Sequence, residues 1–139
     1  MILVDAGPMV ALLRRADQDH ARCVAALRRI QDPLCTIWPA VTEAMFLLSD
    51  RADAQAALAG KLETEAIALL PLDRRDVPRI RELMSKYRDL PMDLTDAALV
   101  RVAEREGIGT VFTTDRRDFG VYRISGRRRF RLHNTRETA

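Results

Sequence analysis

The sequence predicts an α/β fold with a mainly parallel sheet. Short apolar runs alternate along the chain with longer segments of helical periodicity, which is the pattern of strand–helix–strand units. The 139 residues, of which 47% are hydrophobic, suffice for one compact domain with its own core. No repeat, low-complexity tract or long linker divides the chain, so we expect a single domain over residues 1–139.

The predicted elements are bounded by residues that favour helix starts or helix ends. Asp17, Asp76 and Asp93 can cap helix N-termini, Pro39 suits a first helical turn, and Gly107 suits a helix end. In chain order we predict a strand at 2–4, helices at 8–15 and 17–30, a strand at 34–37, helices at 39–48 and 53–62, a strand at 67–71, helices at 76–88 and 94–106, and strands at 110–113 and 130–133.

The basic residues are almost all arginine. Of the 23 basic residues only Lys61 and Lys86 are lysine, and arginine is the residue that suits bidentate contacts with phosphate. A coding bias toward arginine explains the same excess. The last quarter of the chain contains Arg116, Arg117, Arg123, Arg127, Arg128, Arg129, Arg131 and Arg136. This basic end predicts a polyanionic partner, either a nucleic acid or an acidic protein.

Several classes of protein are disfavoured. Cys23 and Cys35 have neither metal-site spacing nor a disulfide-rich pattern, which suits a reducing compartment. The start lacks the basic region of a signal peptide, and no apolar stretch approaches the roughly 20 residues of a membrane span. His20 and His133 have no partner motif of a serine or cysteine hydrolase. We therefore expect a soluble, cytoplasmic protein.

Two acids follow predicted strands directly. Asp5 comes after the first strand, and Asp115 comes after the strand that ends in Thr113-Thr114. Ligands of open parallel sheets bind beyond the carboxyl ends of the strands, so both carboxylates are candidates for a site. A turn or a helix cap explains each of them equally well when it is taken singly.

Glu43 is the only charged residue between Pro39 and Ser49. A helix so apolar is expected to be largely buried, and a buried carboxylate without a partner is costly. No arginine or lysine lies three or four residues away, so the partner must be distant in sequence, either an arginine or a metal ion. The alternative is a glutamate that reaches solvent at the helix edge.

Asp93 and Asp96 open a predicted helix, the first as its cap and the second at its third position. The apolar residues 97–100 follow, so the helix starts against the core and Asp96 is well placed to face the same crevice as Asp5. Two carboxylates about 5 Å apart repel by roughly 3 kcal/mol at an effective dielectric constant near 20. Such a cluster needs shared protons or a cation, and oxygen ligands favour Mg²⁺ or Mn²⁺.

Four segments together resemble the PIN-domain family, and most closely its VapC-type toxins from bacterial toxin–antitoxin pairs. They are Ile2-Leu3-Val4-Asp5, Glu43 in its apolar helix, and residues 93–99 and 113–119. The resemblance implies a three-layer sandwich with a mainly parallel sheet of about five strands and helices on both faces. It implies a divalent-metal-dependent ribonuclease that forms a homodimer and is silenced by a cognate antitoxin.

The family's acids fall on Asp5, Glu43, Asp96 and Asp115, with Asp93 and Asp118 as nearby candidates. As a hypothesis, Asp5, Asp96 and Asp115 hold Mg²⁺ or Mn²⁺, and Glu43 orients or deprotonates the attacking water or shares a second ion. Arg116 and Arg117, with the run 127–129, are expected to bind RNA phosphates. Trp38 and Tyr122 are expected to pack rather than to stack on bases. Many relatives carry a hydroxyl residue just after the first Asp, where this chain has Ala6-Gly7.

Three other classes of protein share part of this pattern. The main alternative is a PIN-like domain that binds RNA or protein without catalysis. A phosphatase of the haloacid-dehalogenase type is disfavoured because Gly7 stands two residues after Asp5, where those enzymes usually have a second Asp. A receiver domain is disfavoured because neither Lys61 nor Lys86 follows a late strand.

Overall fold

The computed structural model describes residues 1–90, 92–124, 126 and 128–133, and only the backbone of Arg116 and Arg117. The elements in chain order are β1 (Ile2–Val4), α1 (Ala6–Leu13), α2 (His20–Arg29), β2 (Leu34–Thr36), α3 (Trp38–Leu47), α4 (Ala52–Glu63), β3 (Ile67–Leu69), a 3₁₀ turn (Arg74–Asp76), α5 (Val77–Lys86), α6 (Leu94–Glu106), β4 (Thr110–Phe112), α7 (Arg116–Val121), β5 (Arg123–Ile124), β6 (Arg128–Arg129) and β7 (Arg131–His133).

The central sheet has five strands in the order β3-β2-β1-β4-β7. All four neighbouring pairs are parallel; β1, for example, pairs Leu3 with Cys35 on one side and with Val111 on the other. Strands β5 and β6 form a separate antiparallel hairpin. The predicted parallel sheet of about five strands is confirmed.

Helices cover both faces of the sheet. Side chains alternate between the two faces of a strand, so Val4 and Phe112 share one face. Both line an apolar cavity of about 410 Å³ whose other walls come from α1, α2 and α4. The adjacent residues Leu3 and Val111 point to the opposite face and are fully buried, so this face is covered as well. Helices α5 and α6 pack against each other and do not line the cavity. The predicted α/β sandwich is therefore correct.

Three of the four predicted capping residues stand at the expected helix ends, and Asp17 does not. Asp93 caps α6 and Gly107 ends it in the left-handed conformation, as predicted. Asp17 instead accepts a hydrogen bond from the Asp19 amide in a turn, so α2 begins only at His20. Asp76 makes no side-chain cap for α5, because it accepts from Arg101 and Arg105 of α6.

Two local predictions about elements are wrong. Helix α1 begins at Ala6 rather than at Pro8, because the Asp5 carboxylate itself accepts from the Ala6 amide and caps the helix. Helix α7 and the β5–β6 hairpin were not predicted, since elements of two to six residues carry too little periodicity.

None of the helices in the described ranges has the length and hydropathy needed to cross a bilayer.

Helix α3 is less buried than its apolar sequence predicts. Ala40, Val41 and Ala44 face the core, but Trp38 and Phe46 are 60% and 76% exposed. The expectation that Trp38 packs inside the chain is therefore wrong. The residues that make the helix apolar form both its buried face and an exposed apolar face.

Gly7 lies in the first turn of α1 against Thr114, and a Cβ added there would overlap the Thr114 hydroxyl. The hydroxyl group beside this turn therefore comes from the loop after β4 rather than from the residues that follow Asp5. We expect Gly7→Ala to lower the free energy of unfolding by about 1–3 kcal/mol because of this overlap. Urea denaturation measures the change.

Gly60→Ala is the matched control, since no atom lies within 4 Å of a Cβ added at Gly60 in the middle of α4. This substitution is expected to stabilise the protein by roughly 0.5–1 kcal/mol, the usual advantage of alanine over glycine in a helix. Adding Thr114→Ala to the Gly7→Ala chain should recover most of the loss. Equal effects of Gly7→Ala and Gly60→Ala would contradict the proposed overlap.

Candidate active site

The predicted acids meet at the carboxyl edge of the sheet. Asp5 follows β1 and caps α1, while Asp115 lies beyond β4 and caps α7. Because β1 and β4 are parallel neighbours, the residues that follow them emerge side by side. Asp93 and Asp96 lie at the start of α6, and Glu43 lies in α3, which packs against α6.

Asp5 is the most buried of these acids, with only 8% of its surface exposed. Its Oδ1 accepts from the Ala6 amide at 2.8 Å, and its Oδ2 accepts from the Thr113 hydroxyl at 3.1 Å. Burial is the main cause that raises the pKa of Asp5 to about 6, and the charges of Glu43 and Asp115 act in the same direction. Asp5 is therefore close enough to Glu43 and to Asp115 to be repelled by the charge of each.

Asp96 shares this environment. Burial first, and then the charges of Asp93 and Asp5, raise the pKa of Asp96 to about 7. The Tyr122 hydroxyl donates to Asp96 Oδ2 at 3.1 Å, and burial together with the negative charge of Asp96 raises the pKa of Tyr122. The structure thus brings Asp96 into the same crevice as Asp5.

Glu43 is partly buried, and its partner is a hydroxyl group. Thr95 of α6 donates to Glu43 Oε1 at 2.8 Å. Burial is the largest cause that raises the pKa of Glu43, and the neighbouring Asp93 raises it further. Among the described residues, the donor to Glu43 is a hydroxyl group from another helix rather than an arginine. None of the ion pairs formed by these residues neutralises the carboxylate.

Asp115 and Asp5 are linked by one side chain. The Thr113 hydroxyl donates to Asp5 and accepts from the Asp115 amide at 2.9 Å. Asp115 Oδ1 in turn accepts from the Asp118 amide at 3.2 Å in the first turn of α7. The Thr113 side chain therefore links the residue that follows β1 to the loop that follows β4.

Three hydroxyl residues of the site were not predicted from the sequence: Thr95, Thr113 and Tyr122. Two of them carried a signal, since Thr95 stands beside Asp96 and Thr113 stands two residues before Asp115. Tyr122 was expected to pack, and it does: its ring is fully buried in edge-on contacts with Tyr87 and Phe119. Its hydroxyl contact with Asp96 was not foreseen.

Among the described side chains, no basic group forms an ion pair with the acid cluster. None of the ion pairs in the described part of the chain involves Asp5, Glu43, Asp93, Asp96 or Asp115. No three acidic, histidine or cysteine side chains of the described residues are close enough to enclose an ion. Mg²⁺ retains several waters and is commonly held by one or two carboxylates, so an open set of oxygen ligands fits it.

The predicted phosphate-binding residues are only partly described. Arg116 and Arg117 begin α7 immediately after Asp115, but their side chains lie outside the described part of the structure. Arg127 and Arg136 lie outside the described residues as well. The position of α7 places the backbone of the first pair at the acid cluster.

A protein-family model of the PIN domain matches residues 2–124. The chain belongs to the PIN-domain family. Ribonuclease VapC26 of Mycobacterium tuberculosis is 28% identical to this PIN domain over 131 residues, which cover 93% of this chain and 97% of that protein.

A solved structure supports the same fold. This PIN domain superposes on Mycobacterium tuberculosis VapC20, described as a toxin that cleaves the sarcin–ricin loop, with a TM-score of 0.76 and 18% identity. The match covers 84% of this chain and 92% of the VapC20 chain, and at this identity it shows the fold alone. The resemblance to VapC-type PIN domains that the sequence motifs predicted is confirmed.

Tyr122→Phe tests the hydroxyl contact in this PIN domain. The ring packing is retained while the donor to Asp96 is removed, so we expect a folded protein that binds Mg²⁺ about 10-fold more weakly, the lower end of the loss seen for outer-shell partners. Calorimetric titration with Mg²⁺ measures the affinity.

Tyr87→Phe is the control, because the Tyr87 hydroxyl accepts from the Arg123 amide and contacts no acid of the cluster. It should leave Mg²⁺ affinity unchanged. Equal affinities in the two variants would show that the Tyr122 hydroxyl does not support the site.

Proposed function

We propose that this PIN domain is a divalent-metal-dependent endoribonuclease, the toxin of a type II toxin–antitoxin pair. The observation that carries the proposal is the cluster of buried, mutually repelling carboxylates at the carboxyl edge of the sheet. A cluster of this kind persists where it holds protons or a cation, and a hydrated Mg²⁺ or Mn²⁺ fits its oxygen-only ligands. The similarity to Ribonuclease VapC26 supports RNA as the substrate.

The residues divide into two roles. Asp5, Asp96 and Asp115 hold the ion directly or through water, and Asp93 and Asp118 are secondary candidates. When bound, the ion lowers the pKa of a coordinated water and neutralises charge that develops on the phosphate.

Glu43 is less buried than Asp5, and Thr95 fixes its orientation. It orients the attacking water and accepts its proton, or it shares a second ion. Its raised pKa makes it a stronger base than an ordinary glutamate. Arg116 and Arg117, at the start of α7, hold phosphates that flank the cut.

The proposed partners are RNA in the cytoplasm, a cognate antitoxin and a second copy of the chain. The exposed apolar side chains of α3 and of the start of α6 support the homodimer: Trp38, Phe46, Leu47 and Leu94. We propose that these exposed apolar side chains contact the second copy, which would remove them from water. Sedimentation velocity of the purified protein tests this state, and Phe46→Asp is expected to shift it toward the monomer.

The activity test uses protein purified free of antitoxin and a labelled RNA. We expect cleavage with Mg²⁺ or Mn²⁺ and none in EDTA. Cleavage that persists unchanged in EDTA would exclude the metal mechanism. RNA binding without cleavage in any metal would favour the alternative, a PIN-like domain that only binds RNA or protein.

A further inference from the structure

A second charged feature lies at the amino edge of the sheet, opposite the acids. It is a cavity of about 470 Å³ lined by Gly109, Thr110, Arg128, Arg129 and Arg131, which we call the arginine cavity. Thr110 begins β4 and Arg131 begins β7, whereas Asp5 and Asp115 follow the ends of β1 and β4. The cavity therefore does not belong to the acid cluster.

The described part of the chain gives the arginines of this cavity no acidic partner. Several arginines elsewhere are neutralised; Arg79 pairs with Glu104 at 2.8 Å, and Arg101 and Arg105 both pair with Asp76 at 2.9 Å. Within the described part of the chain, no ion pair involves the three cavity arginines, and no acidic residue lines the cavity. Among the described residues, three positive charges thus line one cavity without an acidic partner, an arrangement that an anion stabilises.

The segment that carries these arginines is anchored to the fold. Phe130, between β6 and β7, is buried and packs edge-on against Phe119 at 5.7 Å. The Arg131 amide donates to the Gly109 carbonyl at 2.7 Å. The Arg128 guanidinium lies 3.4 Å from the place where a Cβ of Gly109 would stand, so a glycine gives it close access to the backbone. The cavity is therefore a built feature rather than a loose run of basic side chains.

We propose that the arginine cavity binds a backbone phosphate of the RNA at a distance from the cleavage site. The proposal rests on the proposed function, because it is the RNA of that reaction that would reach the cavity. Guanidinium groups form bidentate hydrogen bonds with phosphate oxygens, and such contacts position a nucleic acid without reading its sequence. The Thr110 hydroxyl adds a further donor in the lining.

The distance between the two edges suits this role. The strands are three residues long, which separates the edges by about 10 Å at roughly 3.3 Å per residue. Because helices cover both faces of the sheet, an RNA that contacts both edges must run around the domain, so a long RNA can contact both and a dinucleotide cannot. An acidic peptide is the less suitable occupant, since the lining offers no large apolar side chain against which a peptide could pack.

The test compares two charge-matched double variants in EDTA, where the RNA stays intact. Arg129→Gln/Arg131→Gln alters the cavity, and Arg74→Gln/Arg81→Gln removes two exposed arginines that do not line it. We expect the cavity variant to bind a labelled single-stranded 12-nucleotide RNA about 10-fold more weakly at moderate salt. The slope of log affinity against log salt should become shallower by about 0.7 for each phosphate that the variant no longer neutralises. The control variant and binding of a dinucleotide should change little.

The RNA affinities of the two variants decide whether the arginine cavity binds RNA. Equal RNA affinity in the cavity and control variants overturns the proposal. A cavity variant that loses affinity for inorganic phosphate or for a polyglutamate peptide, but not for RNA, overturns it too and assigns the cavity to that anion. In Mg²⁺, the cavity variant should raise KM for long RNA and leave kcat unchanged. Wild-type protein that binds RNA through the cavity but cleaves none would refute the proposed function and leave the RNA site standing.

Discussion

Replacing Asp96 by asparagine is expected to lower RNA cleavage by at least about 100-fold, and Asp5→Asn should do the same. Loss of an outer-shell partner of a metal typically lowers metal affinity or activity by roughly 10–100-fold, and loss of a direct ligand lowers them further. Both substitutions keep the shape of the side chain. The carbonyl oxygen of an asparagine at position 5 can still accept from the Ala6 amide, as the Asp5 carboxylate does at 2.8 Å. The loss should therefore come from the missing charge and not from unfolding.

Initial cleavage rates at saturating Mg²⁺, with circular dichroism to check the fold, measure this effect. Asp89→Asn is the control, since Asp89 is exposed and is not among the charges that shift the pKa of Asp5, Glu43 or Asp96. Because the two ligands act as one unit, the double variant should be hardly worse than either single one. Full cleavage by both single variants would refute the assignment of Asp5 and Asp96 as ligands.

The metal-free protein is expected to lose stability as pH rises from about 4 to about 7. The pKa values of Asp5 and Asp96 are raised from 3.8 to about 6 and about 7. The folded state therefore holds more protons than the unfolded state in this window, so the free energy of unfolding falls as both groups ionise. For Asp5 alone the loss is about 3 kcal/mol, and the more exposed Asp96 adds less because solvent screens its charge.

Added Mg²⁺ should reverse this trend, because it binds the deprotonated carboxylates and stabilises only the folded state. Thermal unfolding in EDTA and in excess Mg²⁺ across the pH range measures both effects. Asp73, whose pKa is lowered to about 2 beside Arg75, loses its contribution only at lower pH and does not mask the trend. Stability that rises with pH in EDTA would contradict the expected protonation of the cluster.

Asp5→Asn supplies the control for the pH effect. The amide carries no charge to desolvate, so the metal-free variant should unfold at a higher temperature than the wild type near pH 8 and respond less to both pH and Mg²⁺. A variant that is more stable but inactive would indicate that the buried charge is retained for function rather than for folding.

Much of the site was predictable because its parts are local. An Asp directly after an apolar strand, as at Asp5, marks the carboxyl edge of a parallel sheet. An Asp followed by a helical segment, as at Asp93, predicts a cap, and the structure contains that cap. Arg128 and Arg131, by contrast, have the sequence pattern of a solvated basic tail. The sequence does not show that they line a cavity with Gly109.

The sequence by itself determined the parallel sheet, the strand ends that carry Asp5 and Asp115, and the family, because strand periodicity and caps depend on residues a few positions apart. Only the tertiary structure decided which groups meet. Thr95 reaches Glu43 across 52 positions, and Thr113 reaches Asp5 across 108. Such contacts depend on strand order and helix packing, which bring distant segments together through the burial of apolar surface shared by the whole domain.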